Sequence, residues 1–122
     1  MYKEVVTMLL QFNVSNFMSI KEEVILTAFA NASKEHEANL ILNGKDRILP
    51  VLAIYGANAA GKSNIFKALT SAIMLVRASN SLQVNMPTGF EPFLFDEATA
   101  KEKTKMDFLF VHNGHKIAYG FT

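Results

Sequence analysis

The first pattern along the chain is an alternation of apolar and polar residues from Leu10 to Ser15. A period of two residues is typical of a strand that buries one face. Residues 16–21 have the composition of a turn, and residues 23–30 resume a β-rich run. We therefore predict that the two runs pair as an antiparallel hairpin.

Two Asn-Gly pairs predict two further hairpins, because Asn-Gly is a strong short-range signal of a tight turn between strands. Each separates two apolar runs: Asn43-Gly44 lies between residues 40–42 and 47–49, and Asn113-Gly114 lies between residues 106–112 and 116–121. A shorter apolar run at 93–95 predicts a short strand. We therefore expect β structure on both sides of the centre of the chain.

The centre of the chain combines a continuous apolar run with a helical pattern. Residues 51–55 are expected to form a central strand covered on both faces, and Pro50 fits the start of that strand. From residue 61 or 62 to about Ala78, apolar residues recur with helical spacing. They are Ile65, Leu69, Ala72, Ile73 and Val76, and the stripe is widened by Phe66, Met74 and Leu75. We predict a helix that is buried on more than one side, by the rest of the protein or by a partner.

The junction between this strand and this helix carries the chemistry. Residues Gly56 to Ser63 read Gly-Ala-Asn-Ala-Ala-Gly-Lys-Ser, which meets the pattern G-x-x-x-x-G-K-[ST] at every fixed position. A chain of this length would contain the pattern by chance about once in a few hundred sequences. The alternative, a tight strand-to-helix turn with an exposed lysine, explains neither the spacing nor the Gly-Lys-Ser ending. We therefore predict a phosphate-binding loop.

Each position of the loop has a physical role in this prediction. Gly56 permits a turn that is closed to residues with a Cβ, and Gly61 lets the backbone come close to the phosphates. The N–H groups of residues 57–62 form a concave anion site at the positive end of the helix. Three small side chains leave that site unobstructed, those of Ala57, Ala59 and Ala60. Lys62 reaches the β- and γ-phosphates, and the Ser63 hydroxyl ligates the magnesium ion that bridges them.

Composition narrows the class of protein only modestly. The chain has 122 residues, half of them hydrophobic, which suffices for one core and makes a second full domain unexpected. Its net charge of +1 neither indicates nor excludes a nucleic-acid partner. With no cysteine, neither a disulfide nor a cysteine-based zinc site can form. No apolar run has the length of a membrane span or of a signal peptide, so we expect a cytoplasmic protein without membrane contact.

Residues 93–97, Phe-Leu-Phe-Asp-Glu, imitate a Walker B strand. In that interpretation Asp96 supports magnesium and Glu97 orients the attacking water. The apolar run is short, however, and Pro92 precedes it, whereas a central strand excludes proline. We therefore favour an edge strand with a solvated end.

Four other polar residues are weaker candidates. His112 and His115 flank a turn and could share a metal, but the turn supplies no Asp, Glu or Cys to complete a ligand set. His36 lies between two glutamates and is expected in a solvated charge cluster. Gln83 could sense a γ-phosphate, although it lies in a loop-like stretch.

A family resemblance rests on two stretches. Residues 14–20, Val-Ser-Asn-Phe-Met-Ser-Ile, and residues 55–64, Tyr-Gly-Ala-Asn-Ala-Ala-Gly-Lys-Ser-Asn, resemble the start of the RecF/SMC-like branch of the ABC-type ATPases. More narrowly, the chain is similar to prokaryotic AAA-type ATP-binding proteins of abortive-infection and other phage-defence loci. The marks are Asn-Phe-x-Ser after the first strand, Asn58 within the loop, and Ser63-Asn64 at the start of the helix. The resemblance covers about residues 8–122, with residues 1–7 as an extension.

The resemblance implies an α/β fold of the P-loop NTPase type, in which antiparallel hairpins lie beside the P-loop strand and helix as the N-terminal lobe of an ABC-type head. Two such heads sandwich two ATP molecules and act on nucleic acid or on a partner effector. The implied cofactors are ATP and Mg²⁺. The implied nucleotide-binding residues are Gly56, Ala57, Asn58, Ala59, Ala60, Gly61, Lys62, Ser63 and Asn64, with Lys62 catalytic and Ser63 on the metal; residues 16–19 lie near them.

The chain departs from the family pattern in lacking a Leu-Ser-Gly-Gly-like signature, a convincing Walker B strand and a switch histidine. We therefore expect one incomplete domain over residues 1–122, the N-terminal portion of a longer protein or a truncated gene product. Its expected parts follow the chain: an extension at 1–7, a β region at 8–50, the P-loop strand and helix at 51–78, and a loop with a β-hairpin at 79–122.

The function that follows is that of an ATP- and Mg²⁺-binding lobe of an ABC-type ATPase, with little or no hydrolysis by itself. Its expected partners are the remainder of the head or a second head, as a homodimer. The preference for ATP over GTP depends on the resemblance. Two alternatives stay open: a complete small P-loop kinase or GTPase that uses Asp96 or Glu97, and a non-catalytic interaction module.

Overall fold

A computed structural model describes residues 7–56 and 61–122 as a mixed α/β structure. Short 3₁₀ turns lie at Glu37–Asn39 and Ser79–Ser81. The strands and helices are, in chain order, β1 (Thr7–Ser15), β2 (Val24–Thr27), β3 (Ile41–Asn43), β4 (Asp46–Ile48), α1 (Lys62–Ala78), α2 (Glu97–Ala100), β5 (Lys105–His112) and β6 (His115–Phe121).

The main sheet has four antiparallel strands in the order β2-β1-β5-β6. Both of its hairpins, β1–β2 and β5–β6, confirm the predictions from alternation and from the second Asn-Gly pair. At that turn Asn113 has φ 52° and Gly114 has φ 78°, the two positive values that a type I′ turn requires. The central pairing of β1 with β5 runs from Thr7 opposite His112 to Ser15 opposite Lys105.

A second, two-stranded sheet consists of β3 and β4, as the first Asn-Gly pair predicts. It is attached to the chain that follows β2 by a bridge between Phe29 and Ile48. The Ala30 N–H donates to the Arg47 carbonyl at 2.8 Å, and the Leu49 N–H donates to the Ala28 carbonyl at 2.7 Å. These backbone bonds bring the small sheet against the main one.

The apolar side chains form two separate clusters because the register of β1 against β5 shifts between Leu9 and Gln11. Leu10, the residue at the shift, packs with Ile48 of β4 in a hairpin-side cluster. After the shift, Phe12 packs with Ala68 of α1 in a helix-side cluster. The alternation from Leu10 to Ser15 therefore predicts the strand correctly. The buried residues of this strand nevertheless belong to two clusters, because a bulge changes the direction of the side chains beyond it.

Helix α1 begins at Lys62 and ends at Ala78, as the helical pattern predicts. It approaches the sheet through Ala68 and Ala72, both fully buried against the helix-side cluster. Contact through alanines buries a narrow stripe, so larger apolar side chains on the flanks, including Phe66 and Met74, are more than half exposed. Within the described residues the chain itself therefore covers one side of α1, and burial of the exposed flank by a partner stays a prediction.

The prediction of a central strand at residues 51–55 is wrong. In the described part of the chain this run forms no strand, and Val51 and Tyr55 are 77% and 89% exposed. A central strand needs hydrogen-bonded neighbours on both sides, and the described strands pair with one another instead. An apolar run alone cannot supply those neighbours.

Residues 93–95 are likewise irregular, although a short edge strand was expected there. The Phe93 N–H bonds to the side chain of Asn16 at 2.8 Å, where a strand would offer it a backbone carbonyl. Leu94 and Phe95 are exposed.

Within residues 7–56 and 61–122, no helix combines the length and the apolar character needed to cross a membrane.

Candidate functional site

The predicted phosphate-binding loop joins the exposed 51–56 run to the start of α1. The structure describes Gly56 and residues 61–64 of this loop. The predicted site residues Ala57, Asn58, Ala59 and Ala60 lie outside the described residues. The anion site that their N–H groups were expected to form therefore stays a prediction.

Gly61 directly precedes α1 and has a left-handed backbone, with φ 87° and ψ 5°. Its carbonyl accepts the first helical hydrogen bonds, from Asn64 N at 3.0 Å and Ile65 N at 3.2 Å. A Cβ at this position would lie 3.2 Å from the Ser19 hydroxyl oxygen. Glycine is thus favoured at position 61 both by its backbone angle and by the closeness of Ser19.

The first turn of α1 suits an anion. Within the described residues, no side chain caps the N-terminus of the helix, and its first turn contains no acidic residue. The first N–H groups of a helix have no intrahelical acceptor, and the helix dipole places partial positive charge there. An anionic group at this end would accept hydrogen bonds and gain from the dipole.

Lys62 adds a full positive charge to the same turn. Its ammonium donates a hydrogen bond to the carbonyl of Gly56, which connects the two ends of the loop. An ammonium has three N–H donors, so this bond leaves donors for an anion held between the loop and the helix. Lys62 itself is partly exposed.

Ser63 lies in the first turn of α1 and is exposed. Among the described residues, no group of three or more histidine, aspartate or glutamate side chains could hold a metal ion. A magnesium ion at this place would instead take its ligands from the Ser63 hydroxyl, phosphate oxygens and water, a donor set that Mg²⁺ commonly uses.

Asn64 ties the start of α1 to the turn after β1. Its side-chain amide donates to the Ser19 hydroxyl oxygen at 2.6 Å. Beside this contact lies a cavity of about 330 Å³, lined by residues 19–24 together with Gly61 and Ile65. The resemblance implied that residues 16–19 lie near the loop, and Ser19 is the residue of that stretch that contacts Asn64.

Asp96 has a different role from the one that a Walker B aspartate would have. Its carboxylate accepts from the Ala98 N–H at 3.0 Å and thereby caps α2. It also forms an ion pair with Lys21, with 2.6 Å between Asp96 Oδ2 and Lys21 Nζ. The Lys21 hydrogen bond holds the pKa of Asp96 below its ordinary value, and the same bond raises the pKa of Lys21. The carboxylate of Asp96 is therefore already engaged, as the cap of α2 and as the partner of Lys21.

The four weaker candidates lie in three separate places, because the two histidines of the β5–β6 turn are neighbours. His112 Nδ1 is 2.8 Å from the Thr7 hydroxyl, and His115 is the residue opposite His112 across the β5–β6 turn. His36 has a left-handed backbone before a 3₁₀ turn. Gln83 lies in an exposed irregular segment.

Asn16 is the residue whose role the sequence did not reveal. It is only 3% exposed, and its side chain bonds to backbone atoms of Phe93, Thr99 and Glu102. The resemblance marked Asn16 by position, but only the structure shows partners that lie up to 86 residues away. A left-handed asparagine directly after a strand, with φ 50°, is the local signal that accompanies this role.

A family model described as "AAA domain, putative AbiEii toxin, Type IV TA system" matches residues 51–122, which is more than half of the chain. The match begins at the apolar run before the loop and includes α1 and both strands of the β5–β6 hairpin. No curated protein and no solved structure matches the chain significantly.

Proposed function

The chain belongs to this AAA domain family, and we propose that its loop from Gly56 to Ser63 binds ATP together with Mg²⁺. The observation that carries the proposal is the combination of a complete G-x-x-x-x-G-K-[ST] pattern with a left-handed Gly61 at the start of α1. Such a loop presents successive backbone N–H groups and the positive end of a helix to a polyphosphate.

Three residues at the end of the loop and the start of α1 have different roles in binding. Lys62 exchanges part of its contact with the Gly56 carbonyl for oxygens of the β- and γ-phosphates, which carry full negative charge. Ser63 contributes its hydroxyl to Mg²⁺, and Asn64 holds the first turn of the helix against Ser19. A magnesium ion held there would neutralise charge on the phosphates.

Hydrolysis by the chain alone is proposed to be weak. Asp96, the residue that would support magnesium in a Walker B strand, instead caps α2 and pairs with Lys21. The exposed 51–55 run and the exposed flank of α1 are surfaces that further strands and helices of a P-loop NTPase would cover. We therefore propose a nucleotide-binding lobe of an ABC-type head, in which the remainder of the head or a second copy completes the hydrolytic site.

The biological setting of the proposal is phage defence or a toxin–antitoxin system, in keeping with the description of the family. The RecF/SMC-like assignment, a homodimeric arrangement of complete heads and a cytoplasmic location belong to the same proposal. They rest on the resemblance of residues 14–20 and 55–64.

The test is a calorimetric titration of the chain with ATP, with GTP, and with each after magnesium removal. We expect binding of ATP that weakens without Mg²⁺, with no turnover of ATP in the same sample. Turnover that depends on magnesium and disappears in Lys62→Ala would overturn the claim of weak hydrolysis. Absence of ATP binding by the folded chain would overturn the nucleotide site itself.

A further inference from the structure

The turn over residues 16–21 is held firmly by a distant part of the chain, residues 91–104. The Asn16 amide nitrogen donates to the Thr99 carbonyl at 2.8 Å and to the Glu102 carbonyl at 2.9 Å. Its amide oxygen accepts from the Phe93 N–H at 2.8 Å. Because the side chain is buried, each of these bonds would be costly to leave unmade.

The backbone of the 16–21 turn is held as well. Thr104 donates its hydroxyl to the Asn16 carbonyl at 2.7 Å, and the Met18 N–H donates to the Glu91 carbonyl at 2.7 Å. Across the turn, Phe17 and Ile20 exchange two backbone hydrogen bonds, of 2.9 and 2.8 Å. The position and direction of Ser19, which lies between them, are therefore set by contacts with the 91–104 segment.

Ser19 in turn touches the start of α1. Its hydroxyl oxygen accepts from Asn64 at 2.6 Å and lies where a Cβ on Gly61 would make a 3.2 Å contact. A displacement of Ser19 would therefore move Asn64 or crowd Gly61, the residues at which the phosphate-binding loop becomes helix. The contacts form a continuous path from Asn16 through Ser19 to the loop.

We propose that Asn16 is a positioning residue for the phosphate-binding loop, acting through Ser19 on Gly61 and Asn64. This inference rests on the proposed function, since the affinity that it tunes is that for ATP. Asn16 itself is buried and touches the 91–104 segment, so it contributes no contact to the phosphates. Its contribution is the placement of the first turn of α1, whose N–H groups must point at the anion.

Asn16→Asp is the most direct variant, because aspartate has nearly the same size. One carboxylate oxygen can still accept from Phe93, but the other faces the carbonyls of Thr99 and Glu102 without a hydrogen to donate. Ser19→Ala breaks the same path one step later, by removing the acceptor of Asn64. Thr104→Val is a milder alternative that removes only the donation to the Asn16 carbonyl.

The experiment combines amide NMR spectra of the full chain without nucleotide and calorimetric ATP affinities. We expect Asn16→Asp and Ser19→Ala each to shift the amide signals of residues 61–64 and to weaken ATP binding about three- to tenfold, the effect of losing one or two hydrogen bonds. The double variant should bind no more weakly than the weaker single variant, because both changes interrupt one path.

The matched control is Ile48→Val, which removes one methylene group from the hairpin-side cluster. It should lower the unfolding temperature but leave ATP affinity and the signals of residues 61–64 unchanged, whereas equal effects in the control would mean that affinity follows global stability and would overturn the proposal. Additive effects of Asn16→Asp and Ser19→Ala would overturn it too. If Asn16→Asp does not fold, Thr104→Val takes its place, with smaller shifts of the same signals expected.

The two readouts separate this inference from the function on which it rests. Failure of the unaltered chain to bind ATP would reject the nucleotide site, while the amide signals would still report whether Asn16 positions residues 61–64. Normal ATP binding with unaltered signals and affinity in both variants would reject the positioning role alone.

Discussion

The Asn64 side chain donates a 2.6 Å hydrogen bond to the Ser19 hydroxyl oxygen, which joins residues 45 positions apart in the sequence. One partner lies in the first turn of α1, and the other lies in the turn that ends β1. The bond couples the predicted phosphate-binding loop to the β-sheet at the point where the loop ends. The variants at Ser19 and Asn16 test this coupling.

Lys62→Ala should weaken ATP binding by roughly tenfold or more, since hydrogen bonds to charged groups contribute about 1.5–3 kcal/mol. Calorimetry measures the change in affinity. Lys67→Ala is the matched control, because Lys67 lies exposed on the same helix, one turn further from the loop. Equal losses in the two variants would point to a general effect of charge and against a specific role for Lys62.

Gly61→Ala should destabilise the chain more than Gly89→Ala does. Both glycines have positive φ, 87° and 74°, so each substitution pays the left-handed backbone cost of about 1–2 kcal/mol. Among the described residues nothing lies within 4 Å of a Cβ at Gly89, whereas a Cβ at Gly61 meets Ser19. Urea unfolding measures both costs, and equal values would argue against a tight contact between Ser19 and Gly61.

Asp96→Asn should leave ATP binding unchanged, because Asp96 is occupied by the cap of α2 and the pair with Lys21. A complete kinase or GTPase that used Asp96 would lose its activity in this variant. Calorimetry and a turnover assay on the same sample separate the two alternatives. Loss of nucleotide turnover with an intact unfolding transition would favour the small-enzyme alternative.

The pair of Lys21 and Asp96 should make stability depend on pH at both extremes. The folded-state pKa of Asp96 is lowered, so its contribution is present above the ordinary aspartate pKa of about 4 and is lost as pH falls through the lowered value. The pKa of Lys21 is raised, so its contribution is lost as pH rises through that raised value. Thermal unfolding between neutral and acidic pH should show a smaller decline for Asp96→Asn than for the unaltered chain.

Ala68→Leu should destabilise the chain by about 1–3 kcal/mol, the usual cost of overpacking a filled core. Ala68 is fully buried where α1 meets the sheet, and a larger side chain would push the helix away. Ala78→Leu is the control, since Ala78 is the exposed last residue of the same helix. Similar urea midpoints for the two variants would contradict the close approach of α1 through its alanines.

Most of the local elements of this protein can be predicted from patterns of neighbouring residues. The two Asn-Gly hairpins, the β1–β2 hairpin and the bounds of α1 follow from turn chemistry and from periodicity, which depend on residues close together in the chain. The phosphate-binding pattern is also local, and the structure adds the left-handed Gly61 and the contact of Lys62 with Gly56.

The relationships between distant residues become visible in the three-dimensional structure and not in the sequence. It pairs β1 with β5 and surrounds Asn16 with the 91–104 segment. It also leaves the apolar run 51–55 exposed and turns the expected strand at 93–95 into an irregular approach to the capped helix α2. These four relationships have one cause, since hydrogen-bond partners and covering surfaces are supplied by distant parts of the chain. A local pattern indicates what a segment can bury or bond, but it does not identify the segment that becomes its partner.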